Sequence, residues 1–298
     1  QAMGFIPMVL HPNPKKTMVI CFGTGNTTGT VSLFPGVQVD SVEIDKNVLS
    51  LAHHFSKWNH NAQRKKNIHI HIQDGRTFTR WSKKNYDVIT LEPMSPVQAG
   101  TVNLYSREFY QLAAKRLNKD GLMMQWLPLH LVGPDDAKSI LKTFQEVFPH
   151  TYIWNSFLTR IVLLVGSKEK IAIDKIRFDE LMRLPDIKNL AQQIGINSFL
   201  DFTDFFLTDA NKLSSFVQNA ELITDDYPLL EFSPVTFLPP LKREVDETFL
   251  NYLKHRAGSY PEVRGIISSR KRQWEKNFRI RTAQRLSVFS RRYHGPGE

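Results

Sequence analysis

The chain has 298 residues, with 39 Lys and Arg against 29 Asp and Glu, a formal charge of +10, 41% apolar residues and one cysteine. That length suits one large domain or two smaller ones with a core needing no staples, and 15 Gly with 16 Pro exclude a collagen-like or low-complexity chain. Cys21 has no second thiol to pair with, and the longest apolar stretch, 13 residues from Gly121 to Gly133 interrupted by His130, falls short of the ~20 needed to cross a bilayer.

In chain order, the run TMVICF (17–22) predicts a buried strand ending in a glycine-rich turn, and VQVDSVEID (37–45) predicts the next strand. A helical stretch follows over 46–59. NIHIHIQDG (67–75) alternates as a strand, YDVITLEP (86–93) is a fourth, a helix is expected over 106–117, and GLMMQWLPL (121–129) is a fifth strand. After a helix over 135–147, HTYIWN and RIVLLVGS read as two strands close enough to pair antiparallel. Helices between the first five strands imply a doubly wound α/β sheet, about seven strands in all, closed by a hairpin.

From 170 to 222 the pattern turns helical, and the Pro-punctuated TDDYPLLEFSPVTFLPP (224–240) is expected to run extended over the surface. The expected division is a Rossmann-like domain over 1–169, a helical extension packed on it over 170–241, and a basic helical tail over 242–298. The charge is concentrated there. From Lys254 onward there are twelve Lys and Arg against three acids, a net +9, while the other 253 residues carry +1. Apolar residues recur in this tail at Ile267, Trp274, Phe278, Leu286, Phe289 and Tyr293, as in a helix facing the protein's own body, a partner protein or an anionic membrane; nucleic acid is the less favoured occupant. The start at Gln1 lacks the basic and apolar regions of a secretory leader, so a cytoplasmic location is expected, as a free protein or as the cytosolic part of a membrane-associated one.

Ligands of open α/β sheets bind beyond the carboxyl ends of the strands. After the first strand, GTGNTTG places Gly23 and Gly25 where the backbone turns tightly and can approach a ligand, with a helix opening near Asn26. About twenty residues later VEID offers Glu43 and Asp45, a position from which a carboxylate accepts both hydroxyls of a ribose. The third strand ends in QDGRTF, so Asp74 can accept from an exocyclic adenine amine and Gly75 lets a base lie close. The fourth ends at Glu92, where a carboxylate serves as a base or holds a cationic amine. A glycine turn and one acid fit either a dinucleotide or an S-adenosyl ligand; acids at three successive tips favour an adenosyl-sulfonium compound. His69 and His71 share a strand face without a carboxylate or thiol to complete a ligand set, so no metal is expected. Cys21, inside the first strand, reads as a buried small hydrophobe.

The stretches MGFIPMVLHPNPKKTMVICFGTGNTTG, VEID, QDGRTF, YDVITLEPMSP, NLYSREFYQLAAKRLNKDGLMMQWLPL and TDDYPLLEF, taken in order, resemble the spermidine synthase (polyamine aminopropyltransferase) family, and most closely bacterial spermidine synthase-like domains often fused to membrane segments. The resemblance implies a sheet of the S-adenosylmethionine-dependent methyltransferase type. It implies transfer of an aminopropyl group from decarboxylated S-adenosylmethionine, a co-substrate rather than a tightly bound cofactor, to a polyamine such as putrescine, in a homodimer. It puts Gly23 and Gly25 beside the methionine-derived part of the donor, Glu43 at the ribose, Asp74 and Gly75 at the adenine, Glu92 at the attacking amine, and Gln125 and Trp126 in the acceptor pocket, with Tyr105 within reach. The family pattern has acids where this chain has Asn26 and Ser95, and Asp followed by Ser or Thr where it has Glu92 and Pro93. Asp225 and Asp226 are the expected compensation. The family's N-terminal β-hairpin domain would precede Gln1. Two other readings follow from those neutral positions and the basic tail: a methyltransferase on the same sheet, or a non-catalytic adenosyl-binding scaffold.

Overall fold

A computed structural model describes residues 1–156, 160–257 and 259–293. Its strands are β1 (Lys16–Ile20), β2 (Gln38–Glu43), β3 (Ile68–Ile72), β4 (Tyr86–Leu91), β5 (Leu117–Pro128), β6 (His150–Asn155), β7 (Ile161–Ser167), β8 (Ile173–Asp174), β9 (Phe206–Asp209) and β10 (Val263–Arg264). Eight of them form one sheet in the order β3-β2-β1-β4-β5-β7-β6-β9. The first five run parallel, while β7 lies antiparallel between β5 and β6. This is the doubly wound sheet with a closing hairpin that the strand pattern implied. Two-residue strands β8 and β10 form a separate parallel ladder.

Alternation along the strands sends side chains into two cores. Val88, Met124, Leu163 and Val165 face one layer, where the wholly buried helix Ala2–Leu10 lies. Ile89, Leu91, Met123, Val162 and Leu164 face the other, covered by helices Arg107–Arg116, Pro134–Val147 and Lys242–Arg256.

The structure departs from the sequence expectation at several elements. The eighth strand of the sheet, β9, falls in a region read as helical throughout: Phe206, Leu207 and Thr208, between helices Phe199–Asp204 and Ala210–Val217, pair antiparallel with β6. The helix expected over 46–59 is broken into Lys46–Leu51, a 3-10 turn at Ala52–Phe55 and Ser56–Asn59, and ends where His60 and Asn61 take φ of 53° and 55°. The 224–240 segment keeps to the surface but coils into two 3-10 turns, Leu229–Phe232 and Pro234–Thr236. His71 turns its ring to Asp40 at 2.7 Å.

The basic C-terminal residues form helix Ser268–Tyr293, which buries Trp274 and Phe278 against the body. The Trp274 indole donates to Thr203 Oγ1 at 3.1 Å. Arg256, fully buried, donates to Thr282 Oγ1 and to the main chain and carboxylate of Asp204, while Arg285 and Arg281 reach Asp204 and Asp201. Among the described residues no helix is long and apolar enough to cross a membrane.

Candidate active site

The carboxyl ends of β1, β2, β3 and β4 surround a cleft of about 510 Å³. Its floor is Ile20 and Val42, its sides carry Glu43, Asp74, Gly75 and Arg76, and its far wall is the loop after β4, through Pro93, Met94, Gly100, Asn103 and Leu104.

Each polar group is placed by a local rule. Glu43, the last residue of β2, is buried and accepts N–H bonds from Gly23 at 3.2 Å and from Asp45 at 3.1 Å, so its carboxylate is fixed in orientation. Asp45 is occupied in capping helix Lys46–Leu51. Asp74 likewise caps helix Gly75–Trp81, accepting from Thr77 N at 2.7 Å, and presents its remaining face to the cleft.

The glycines serve different ends. Gly23 has φ +53° and open space where a side chain would be, so bare backbone faces the ligand side of the turn. At Gly75 a Cβ would sit 2.4 Å from Ile20 Cγ2. That glycine is demanded by the packing of its helix on β1, whatever lies in the cleft.

Glu92 follows the last residue of β4 and remains open to solvent, with Thr27 Oγ1 donating to its Oε2 at 3.4 Å. The surrounding protein walls disfavour its charged form and raise its carboxyl above the ordinary value, opposed by the Thr27 hydroxyl. Register puts Gln125 directly across from Leu91, next to Glu92 in the sheet. Gln125 Nε2 and the buried Tyr105 hydroxyl both donate to the Trp126 carbonyl, at 3.2 and 3.3 Å. Gln125 Oε1, Trp126 Nε1 and Asn26 Oδ1 are buried atoms without a hydrogen-bond partner among the described residues. Ser95 is half-buried in the loop after β4.

One residue, Cys21, stands elsewhere than the sequence placed it. Cys21 lies just beyond β1 at φ +70°, half-buried and lining the cleft, because the chain must turn sharply there to release the glycine loop. Its thiol is pushed up to about 12 by burial, with Glu43, Glu92 and Asp74 adding to the effect, so it stays protonated. Asp225 is bound to Arg76 by both carboxylate oxygens and to Ser106 Oγ at 2.8 Å; Asp226 is exposed. Sequence reasoning missed Arg76 and Thr27. Arg76 stands inside the QDGRTF run already singled out, and Thr27 follows Asn26, so both were within sight of a motif-based search.

A parallel sheet with a glycine turn, a buried acid twenty residues on and a cleft at its carboxyl edge defines a Rossmann-like ligand-binding domain. The profile of the spermine/spermidine synthase domain matches residues 1–166, and the chain belongs to that family. It is 27% identical over 221 residues to the polyamine aminopropyltransferase of Methanocaldococcus jannaschii, covering 71% of this chain and 75% of that protein. It is 25% identical over 189 residues to the polyamine aminopropyltransferase of Bacillus cereus, covering 61% and 68%. Among solved structures, spermidine synthase from Thermotoga maritima superposes with a TM-score of 0.59 at 23% identity over 72% of each chain. Spermidine synthase in complex with the transition state analogue AdoDATO gives 0.60 at 23% identity, over 72% of this chain and 73% of that one. The structural likeness concerns the fold.

Proposed function

We propose that the protein transfers an aminopropyl group from decarboxylated S-adenosylmethionine to an amine of a polyamine such as putrescine. The carrying observation is Glu92: a solvent-accessible carboxylate of raised proton affinity at the end of β4, beside a cleft of nucleoside size.

In this reading Glu43, already oriented by two N–H groups, accepts the ribose hydroxyls, and Asp74 accepts from the adenine amine between the apolar walls of Ile20, Val42 and Leu104. The bare turn at Gly23 leaves room for the sulfonium and its aminopropyl chain, while Gly25 packs on Phe22 and Asn59. Glu92 takes a proton from the acceptor ammonium, because only a free lone pair can attack. The amine nitrogen then bonds to the carbon next to sulfur, the carbon–sulfur bond breaks with its electrons moving to sulfur, and methylthioadenosine leaves neutral. This reading assigns the acceptor amine to Asn26 and Gln125, whose buried amide oxygens have no hydrogen-bond partner among the described residues.

Calorimetry with methylthioadenosine, decarboxylated S-adenosylmethionine and S-adenosylmethionine tests the donor assignment, with the first two expected to bind; failure of all three would overturn it. The neutral side chains of Asn26 and Ser95 favour a second reading, a methyltransferase on the same sheet. Product analysis separates the two: methylthioadenosine supports aminopropyl transfer, and S-adenosylhomocysteine supports methyl transfer.

A further inference from the structure

The wall of the cleft is held from outside by a distant stretch of chain. Arg76, in the first turn of helix Gly75–Trp81, donates to Asn103 O at 3.1 Å, Ser106 Oγ at 3.2 Å and Asp225 Oδ1 at 2.7 Å, and also binds Asp225 Oδ2. Six residues past Asp225, Glu231 Oε1 accepts from Gly100 N at 2.8 Å. The segment carrying both acids is itself fixed: Ile223 N donates to Thr143 Oγ1, Ile223 O accepts from Arg107 N, and Asp225 N donates to Glu108 Oε2. Neither Asp225 nor Glu231 lines the cleft, whereas Arg76, Gly100 and Asn103, which they hold, do.

We propose that residues 223–232 form a strap, with Asp225 and Glu231 as positioning residues that set affinity for the adenosyl donor by holding the 99–104 wall against the helix that begins at Gly75. The inference rests on the donor reading above. Two physical effects carry it. A wall fastened before binding loses less conformational freedom when the ligand arrives. Arg76 is also neutralised where it stands; without Asp225 its guanidinium faces a cleft whose lining acids are Glu43 and Asp74, the two carboxylates that reading gives to the ligand. The strap leaves the chemistry alone, since Glu92 is held at the strand end of the loop by Thr27. Asp225 is committed accordingly, its oxygens bound by Arg76 and Ser106 and its N–H by Glu108, which gives it a different task from gripping an acceptor amine.

The experiment compares the full chain with Asp225→Ala and Glu231→Ala by calorimetry with methylthioadenosine, steady-state kinetics in decarboxylated S-adenosylmethionine, thermolysin cleavage within residues 93–104, and ligand-free thermal melting. In each variant the dissociation constant and donor KM should rise about tenfold, as for a lost charge-assisted bond, with kcat within about twofold. Cleavage in the wall should quicken while the melting midpoint holds. Unchanged affinity, or a fall in kcat at constant KM, overturns the proposal. If the wild type binds no adenosyl compound, the donor reading fails by itself; the strap then stands or falls on whether wall cleavage quickens. Glu231→Ala keeps the test alive should Asp225→Ala fail to fold.

Discussion

Glu92 carries two opposed consequences of one environment. Its carboxyl, open to solvent yet walled by protein, holds a proton more tightly than a glutamate free in water, so it becomes a base only at a pH above the ordinary value of 4.5, and the acidic limb of kcat/KM should lie above that point. The same shift means that the charged form weakens the fold, an effect absent at low pH and present once pH has risen through the raised value. Glu92→Gln should therefore abolish turnover, change adenosyl binding by less than about tenfold, or 1.4 kcal/mol, and melt higher than the wild type at neutral pH with the difference vanishing in acid. Equal melting temperatures at neutral pH would contradict the assigned environment. At Gly75 the motif was legible in the sequence, while a further reason for it, the packing on Ile20, was not. The glycine that QDGRTF offered to a base is required by Ile20, and Gly75→Ala should cost about 1–3 kcal/mol in urea unfolding through overpacking, with or without ligand.

At the scale of elements, the strands of the parallel half were legible because their apolar runs and terminal turns are local signals. The antiparallel pairing of the closing hairpin followed from its short connection, while its order, with β7 inside β6, did not. What escaped depends on partners far along the chain. β9 is four residues whose strand character comes from β6, and the pairing of Arg76 with Asp225 spans 149 positions. The cluster around Arg256 is of the same kind. Burial lowers this guanidinium to about 10, with Asp204 pulling the other way, so it remains charged at neutral pH inside the protein. Removing its partner would strand that charge. Asp204→Ala should lower unfolding free energy by about 3–5 kcal/mol in denaturant titration, far more than loss of an exposed pair such as Arg243 and Glu247.

Over the whole molecule, the +9 of the last 45 residues is partly spent inside the fold: Arg256, Arg281 and Arg285 meet Asp201 and Asp204. Helix Ser268–Tyr293 is thus structural as well as basic, and its apolar stripe was readable while its inward target was not. Deleting residues 268–298 should uncover the surfaces beneath Trp274 and Phe278, remove Thr282 from Arg256, and lower the melting midpoint by several degrees with gain of dye-accessible apolar surface. A truncation that melted as the full chain does would show the helix to be dispensable. The short strand β9 bears on a hazard of another sort. A sheet border is a row of unsatisfied amides and carbonyls, a template on which a neighbouring molecule can add its own strand. By lying along β6, those four residues take up its free row and themselves become one short border of the sheet, with the five-residue β3 as the border on the opposite side.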